Sequence, residues 1–255
     1  MKRLEDKVAI ITGGSGGIGA ATAKLFLEEG AKVLLVDLDE GALKKTIEEL
    51  NSDNASYITA DVSKEEQVKK YVDTAVERYG KIDVLFNNAG IEGVVTPLTD
   101  YPLDMFEKVI NINVIGVWLG IKHVFPVMKE NGGGSIMITS SIAGLRGTPN
   151  IIGYSTSKHA VLGIMRTAAL EGAEFNIRVN SINPSPVDNR MMRSLENGYA
   201  PGAGDQVKEM MEGNIPMKRY CTSEEVGKVA LFLSSDDSSF VNGSVYSVDG
   251  GLNAQ

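Results

Sequence analysis

The chain has 255 residues, 43% of them apolar and 23% charged, which is enough for one large α/β domain with a sizeable core. Its formal net charge is −8 and no run of Lys or Arg exceeds two, which argues against a nucleic-acid or anionic-membrane partner, since both need clustered cations. One cysteine, Cys221, excludes an intramolecular disulfide, and one cysteine with two histidines makes no metal-ligand cluster.

Strands and helices alternate from the start. Residues 8–11 form a short, wholly apolar run, the mark of a strand buried on both faces. Residues 12–19 read TGGSGGIG, a glycine-rich turn. A helix is predicted over 20–29, with Ala21, Ala23, Leu25 and Phe26 inward and Gly30 as its stop. A strand follows at 32–37, a helix at 40–50 and a strand at 56–60. The 64–79 segment is an amphipathic helix with Val68, Tyr71, Val72, Ala75 and Tyr79 on one stripe and Gly80 ending it. A fourth strand is expected at 82–86, then one long helix from 103 to about 128. Strands at 135–139 and 177–182 flank a helix over 154–175. Residues 191–213 read as irregular, broken by Pro201, Gly202 and Gly204. A helix with Ser223 as its N-cap covers 223–234, and a last strand covers 244–248. Seven strands alternating with about six helices, with no repeat and no linker, predict a single domain built on one doubly wound parallel sheet.

The N-terminal apolar run is too short for a signal peptide. The apolar stretch at 114–121 is too short for a membrane span and holds two glycines. The expectation is a soluble cytoplasmic protein.

The strands hand over to chemically specific residues: Gly13, Asp37, Asp61, Asn88, Ser141 and Asn183 each stand just after one. In an open parallel sheet those ends share an edge, and ligands bind there. The first turn, with Gly13, Ser15, Gly17, Ile18 and Gly19, follows a strand and opens a helix. Its glycines let backbone amides approach a pyrophosphate, and the helix N-terminus adds positive potential. Asp37 stands about 20 residues on, where an acid can accept from the adenosine ribose hydroxyls. A 2′-phosphate would bring about −1.5 to −2 charge against Asp37, Asp39 and Glu40. No Lys or Arg stands at Ser15, Gly16 or Leu38 to offset it. The preferred cofactor is therefore NAD(H) over NADP(H).

Tyr154 and Lys158 are four residues apart and share a helix face. Ser141 precedes the tyrosine by thirteen residues, at the end of the fifth strand. A serine, a tyrosine and a lysine converging on one spot make a proton-transfer site. A tyrosine working near neutral pH must be shifted by about 3 units from its usual value of about 10, and neighbouring positive charge favours its phenolate.

With these segments together, the chain resembles the short-chain dehydrogenase/reductase family over about residues 7–252. The matching segments are TGGSGGIG, Asp61-Val62, Asn87-Asn88-Ala89-Gly90, Asn113 within NINVIG, Ser140-Ser141, Tyr154 to Lys158, and Val248-Asp249-Gly250-Gly251. The resemblance implies a seven-stranded Rossmann-type sheet with helices on both faces. It implies Tyr154 as general acid/base and Lys158 lowering the tyrosine's pKa and binding the nicotinamide ribose. Ser141 would hold the substrate oxygen, and Asn113 the water that links Lys158 to solvent. It puts Asp61 at the adenine and Asn88 at the cofactor ribose region, with Val62, Ala89 and Gly90 also binding the cofactor, and suggests a homotetramer. One segment departs from the family pattern: Pro184 and Val187 match, but Ser185 replaces a glycine and Asn189 a threonine. Asn189 keeps a cofactor role, since an amide can still donate and accept.

Ile142, Ala143 and 148–151 are expected to line one wall of the substrate pocket, with a covering loop at about 185–215 opposite. Ser185, Met191 and Met192 are assigned to substrate, with Met210 and Met211 also framing that loop; flexible thioethers suit an apolar pocket. His123 and His159 are read as structural, and Trp118 as a core or interface residue. The leading function is NAD-dependent interconversion of a secondary alcohol and a ketone on a small or medium apolar molecule, cyclic or aromatic. A 3-oxoacyl-carrier-protein reductase is the alternative within the family, and an NAD-sensing regulator without catalysis is the alternative outside it.

Overall fold

The computed structural model describes residues 2–254. Seven parallel strands make one sheet: β1 (Val8–Thr12), β2 (Lys32–Asp37), β3 (Ala55–Thr59), β4 (Val84–Asn87), β5 (Gly134–Thr139), β6 (Ile177–Pro184) and β7 (Val245–Val248). Their spatial order is β3-β2-β1-β4-β5-β6-β7. The nine helices among the described residues are α1 (Gly17–Glu28), α2 (Glu40–Leu50), α3 (Glu65–Tyr79), α4 (Leu103–Ile110), α5 (Gly116–Glu130), α6 (Ile152–Gly172), α7 (Arg190–Tyr199), α8 (Gly204–Asn214) and α9 (Ser223–Ser234).

The period-2 alternation of strand side chains sorts the core into two layers. Ile10, Leu34, Leu85, Ile136 and Val179 face one side, against α3, α5 and α6. Ala9, Ile11, Leu35, Phe86 and Met137 face the other, against α1 and α9. With both faces covered, the central strands read as continuous apolar runs. The doubly wound Rossmann-type sheet expected from the sequence is the one observed. After β3 the chain crosses back to place β4 beside β1, so the order reverses there and a crevice opens beyond the carboxyl ends of these strands.

Three expectations need correction. The helix predicted over 103–128 is interrupted by a π-helical stretch, Asn111–Ile115, and runs on to Glu130 through Pro126. Together Leu103–Glu130 is long and apolar enough, by length and composition, to cross a membrane, which the sequence reading did not anticipate. Here it is a core helix: Val109, Asn113, Val117, Ile121, Val124 and Met128 are buried. The 191–213 segment is not irregular but forms α7 and α8. Met192 and Leu195 of α7 are buried, with Tyr199 beside them in an apolar cluster that also holds Ile151, Ile215, Tyr220 and Leu252. Pro201 and Gly202 break only the short connection between the two helices. Finally, the N-cap of α9 is Thr222, not Ser223. The Thr222 hydroxyl accepts from the Glu225 amide (3.2 Å) and the Glu225 carboxylate accepts from the Thr222 amide (2.8 Å), a reciprocal box.

Candidate active site

The glycine turn sits in the crevice between β1 and β4. Gly13 has φ +65°, and a Cβ there would lie 3.0 Å from the Ala89 backbone, so only glycine lets the two strand ends approach so closely. A Cβ on Gly19 would strike the Gly13 carbonyl. The N-cap of α1 is Gly16, which supplies no side-chain cap, and the first amides of the helix are left to an anionic ligand. Asp37 at the end of β2 accepts from the Ser15 amide (3.1 Å), the Ser15 hydroxyl (2.6 Å) and the Leu38 amide (2.7 Å). The carboxylate is fixed over the turn with at least one acceptor position free for a ribose hydroxyl.

Asn88 is committed to the protein. Its amide nitrogen donates to the carbonyls of Thr12 (3.2 Å) and Gly13 (3.4 Å), and its side-chain oxygen accepts from the Thr139 hydroxyl (3.0 Å). It braces three strand ends, and its part in shaping a ribose site is through that brace. Asp61 accepts from the amide and hydroxyl of Ser63 (2.9 and 2.7 Å) and lines the cleft beside Val62.

Ser141, Tyr154 and Lys158 meet at the foot of the same cleft. The local fold explains it. Strand β5 ends at Thr139, the turn carries Ser141 to the mouth of the cleft, and α6 starts at Ile152 so that Tyr154 and Lys158 lie one turn apart on its inward face. Ser140 does not reach the cleft with its hydroxyl, which donates to the Lys158 carbonyl (2.8 Å) and ties the turn to α6. The Lys158 ammonium donates to the Thr139 carbonyl (2.8 Å) and lies 5.4 Å from the centre of the Tyr154 ring. Burial brings Lys158 down to about 8. Burial pushes the Tyr154 phenol up to about 12; a hydrogen bond from Ser141 opposes the rise and the charge of Glu92 adds to it. The ring keeps some contact with the open cleft, which tempers that rise. Burial thus works against the phenolate, and the expected stabilisation rests on the Lys158 ammonium together with an oxidised nicotinamide.

Asn113 is fully buried in the π-helical stretch. Its amide nitrogen donates to the Ile91 carbonyl (2.9 Å) and the Ser157 hydroxyl (3.0 Å), and its oxygen accepts from the Ile91 amide (2.9 Å). Both side-chain donors are thus spent on protein, and through them Asn113 clamps the chain after β4 against α6. It and Gly19 stand behind the cleft wall, while the other predicted site residues line it.

The segment after β6 follows its own logic. Ser185 donates its amide to Val248 (3.1 Å), and the amides of Cys221 and Asp188 bond across to Pro186 and Cys221 respectively (3.0 and 2.9 Å). Asn189 is the N-cap of α7, its oxygen accepting from the Met192 amide (3.2 Å). Threonine and asparagine both cap helices, so the exchange keeps that function and leaves the amide NH2 for a ligand. Met191, Met192 and Met211 line the cleft, but Met210 points to solvent, against the expectation that all four frame it. His123 pairs with Glu65 (3.1 Å) and His159 bonds the Ser155 carbonyl (2.9 Å), away from the cleft. Trp118 is 46% exposed and not a core residue. Sequence reasoning missed Glu92, a buried carboxylate two residues beyond Gly90, because no spacing or periodicity marks it. It also missed Tyr199, which closes the cleft by donating to the Pro149 carbonyl (3.0 Å); its apolar spacing with Met192 and Leu195 was the available signal.

The whole cleft holds about 690 Å³, room for a dinucleotide and a further small molecule. A family model described as enoyl-(acyl carrier protein) reductase matches residues 13–253. Levodione reductase from Leifsonia aquatica is 40% identical over 99% of this chain and 96% of that protein. A crystal structure of levodione reductase superposes with a TM-score of 0.96 at 39% identity, covering 99% of each chain. NAD+-bound xylitol dehydrogenase follows with a TM-score of 0.92 at 38% identity over 98% of this chain and all of that one. A 3-ketoacyl-(acyl-carrier-protein) reductase from Brucella melitensis complexed with NADH has a TM-score of 0.91 at 32% identity, over 98% of this chain and 99% of the other. The strand-end chemistry, the sheet and these likenesses coincide over almost the entire length: the chain belongs to the short-chain dehydrogenase/reductase family.

Proposed function

We propose that this protein is an NAD(H)-dependent oxidoreductase that interconverts a secondary alcohol and a ketone on a small to medium, largely apolar, cyclic or aromatic molecule. The observation that carries the reading is the convergence of Ser141, Tyr154 and Lys158 in the cleft that also holds the glycine turn and Asp37. The walls around this trio are apolar, with Ile91, Ile142, Ile151, Leu195 and Met211, and α7 and α8 cover the substrate side. NAD, when bound, supplies the hydride acceptor and, in its oxidised form, a positive ring. The residues fit it: a glycine turn that a Cβ would fill, an uncapped helix start, and a carboxylate at ribose distance along the chain.

In alcohol oxidation, Tyr154 Oη takes the proton of the substrate hydroxyl, and in ketone reduction it returns one. Ser141 Oγ hydrogen-bonds the substrate oxygen and orients it toward the phenol. Lys158 Nζ, anchored by the Thr139 carbonyl, has two further protons to donate toward the ribose and adds positive charge beside the phenol. Asn113 holds Ile91 and thereby the wall opposite α6.

A panel of cyclic ketones with NADH, followed by NADH absorbance, tests the reading. Because oxidation needs the phenolate and burial holds the phenol high, kcat/KM for alcohol oxidation should climb about tenfold from about pH 6 to 7, below the range in which Lys158 loses its charge. Reduction should show no such climb. Oxidation that slows over the same range would remove Tyr154 as the base.

Reduction of a 3-oxoacyl group on an acidic carrier is the second reading. The Brucella reductase in complex with NADH favours it, since NAD preference does not separate the two. Against it, Arg193 on α7 and Lys208 on α8 are already paired with Asp188, and Arg193 also with Glu196, which leaves Arg190 as the one loosely paired cation of these helices lining the cleft for a carrier. We further infer a homotetramer: exposed Leu103 and Trp118 on α4 and α5 and exposed Phe240 near β7 are apolar surface that copies could cover. Light scattering should give four times the 27.3 kDa chain mass, and a stable monomer would overturn this.

A further inference from the structure

Glu196 is a buried carboxylate that the scheme above does not use. It sits on α7, one of the two helices covering the substrate side of the cleft, and is 1% exposed. Both of its oxygens are occupied. Oε1 accepts from the Tyr220 phenol (2.8 Å), itself buried, and Oε2 is ion-paired with Arg193 Nη1 (2.9 Å), one turn back on the same helix. The pairing continues outward. Arg193 Nη2 donates to Asp188 Oδ1 (3.1 Å), and Lys208 Nζ of α8 donates to Asp188 Oδ2 (3.5 Å). Met211 of α8 holds its sulfur 3.5 Å from the Tyr220 oxygen. The Arg193 guanidinium and the Lys208 ammonium lie 5.8 and 5.5 Å from the centre of the Tyr220 ring. One hub thus joins the turn after β6, both covering helices and the segment before α9.

The same helices build the wall of the cleft. Met192, Leu195 and Tyr199 line it from α7, and Met211 lines it from α8. Glu196 follows Leu195 directly, so a slip of the carboxylate relative to Tyr220 is also a slip of Leu195 in the wall. An apolar side chain at 196 would fill the same space, but it would accept several neighbours equally well. A buried carboxylate does not: leaving either partner strands an anion away from water. The charge therefore selects one register of α7 among those that apolar packing alone would allow.

We propose that Glu196 is a positioning residue for the reaction: through Tyr220 and Arg193 it locks α7 and α8 in one register and so fixes the apolar wall that aligns the substrate. The assignment rests on the oxidoreductase reading and deepens it. A ketone large enough to touch Met192, Leu195 and Met211 is oriented by the wall as well as by Ser141 and Tyr154. A ketone too small to reach the wall is oriented by the two hydroxyls alone. Small misplacements are expensive in rate, because the reacting atoms must meet within a narrow range of distance and angle. Glu196 touches neither substrate nor cofactor in this scheme and acts only through the wall.

The test compares the full-length wild type with Glu196→Met, Glu196→Gln and Tyr220→Phe by two readouts. The first is the ratio of kcat/KM for NADH-dependent reduction of cyclohexanone to that of acetone. The second is amide hydrogen exchange of the NADH-bound protein. In Glu196→Met, which keeps the volume and removes the charge, the ratio should fall about tenfold or more, the range of an apolar contact in a pocket. Exchange in α7 and α8 should quicken about tenfold or more, while α1 and α3 stay as in the wild type. Glu196→Gln keeps an acceptor for Tyr220 and should recover most of both. Tyr220→Phe deletes one oxygen and should move both readouts the same way by less, which keeps the test decisive if Glu196→Met does not fold. A merely structural Glu196 would quicken exchange throughout the sheet and leave the ratio unchanged. A ratio and local exchange in Glu196→Met equal to those of the wild type would overturn the role of Glu196 and leave the proposed function standing. Reduction of neither ketone, by a wild type that binds NADH, would remove the oxidoreductase reading and this role with it.

Discussion

Tyr154→Phe should reduce ketone turnover with NADH by about 10²- to 10⁴-fold, the usual worth of a positioned general acid, while the affinity for NADH changes by less than about threefold. The substitution deletes one oxygen. The ring still packs beside Ile151, Met192 and Leu195, so the covering helices lose no apolar contact. The phenol oxygen has no hydrogen bond that supports the sheet; its partner is Ser141, in the cleft itself. A purely structural tyrosine would therefore show the opposite split, with modest loss of stability and unchanged chemistry. A nucleotide-sensing protein without catalysis would bind NADH equally well before and after the change and turn over no ketone in either form. If the variant matches the wild type in kcat/KM across a panel that the wild type reduces, Tyr154 is not the acid.

How much of this was legible beforehand divides along physical lines. Strands β1, β2, β4 and β5 are buried on both faces, and such runs are unmistakable in a sequence. Ser141, Tyr154 and Lys158 were legible because a strand end, a turn and one helical repeat fix their relation locally. What failed depended on tertiary context. The π-helical stretch at Asn111–Ile115 arises where Asn113 must reach Ile91 and Ser157 at once, a demand no helical period records. Helices α7 and α8 were hidden because Gly198, Pro201, Gly202 and Gly204 dilute their pattern; their apolar faces are real but short. Thr222 and Ser223 are both good caps by type, and only the reciprocal bond to Glu225 decides between them. For Tyr154, spacing reveals a neighbouring ammonium but not the desolvation that works against the phenolate.

NADH should support kcat/KM values at least about 100-fold above those with NADPH, and the preference should collapse in Asp37→Ala. The 2′-phosphate of NADPH carries about −1.5 to −2 charge and would have to sit where Asp37 meets the ribose. Two unit charges about 4 Å apart repel by about 1 kcal/mol in water and about 4 kcal/mol at the effective dielectric of a protein surface, so discrimination of two to three decades lies within reach. Asp37 cannot swing aside to relieve it. Its two oxygens are held by the Ser15 amide and hydroxyl and by the Leu38 amide, which lock the carboxylate over the glycine turn. Asp39 at the start of α2 is likewise fixed, accepting from the Ala42 amide (3.0 Å), and adds charge of the same sign. Removing Asp37 forfeits the ribose contact as well as the repulsion, so NADH turnover should drop as NADPH turnover rises. Adding Leu38→Arg, at a side chain already largely exposed, should carry the ratio past unity by giving the phosphate a guanidinium. The repulsive part should also weaken with salt, because the Debye length shrinks to about 3 Å at 1 M. A wild-type protein that prefers NADPH, or an Asp37→Ala variant with the parental ratio, would mean that the carboxylate at the end of β2 does not select the cofactor.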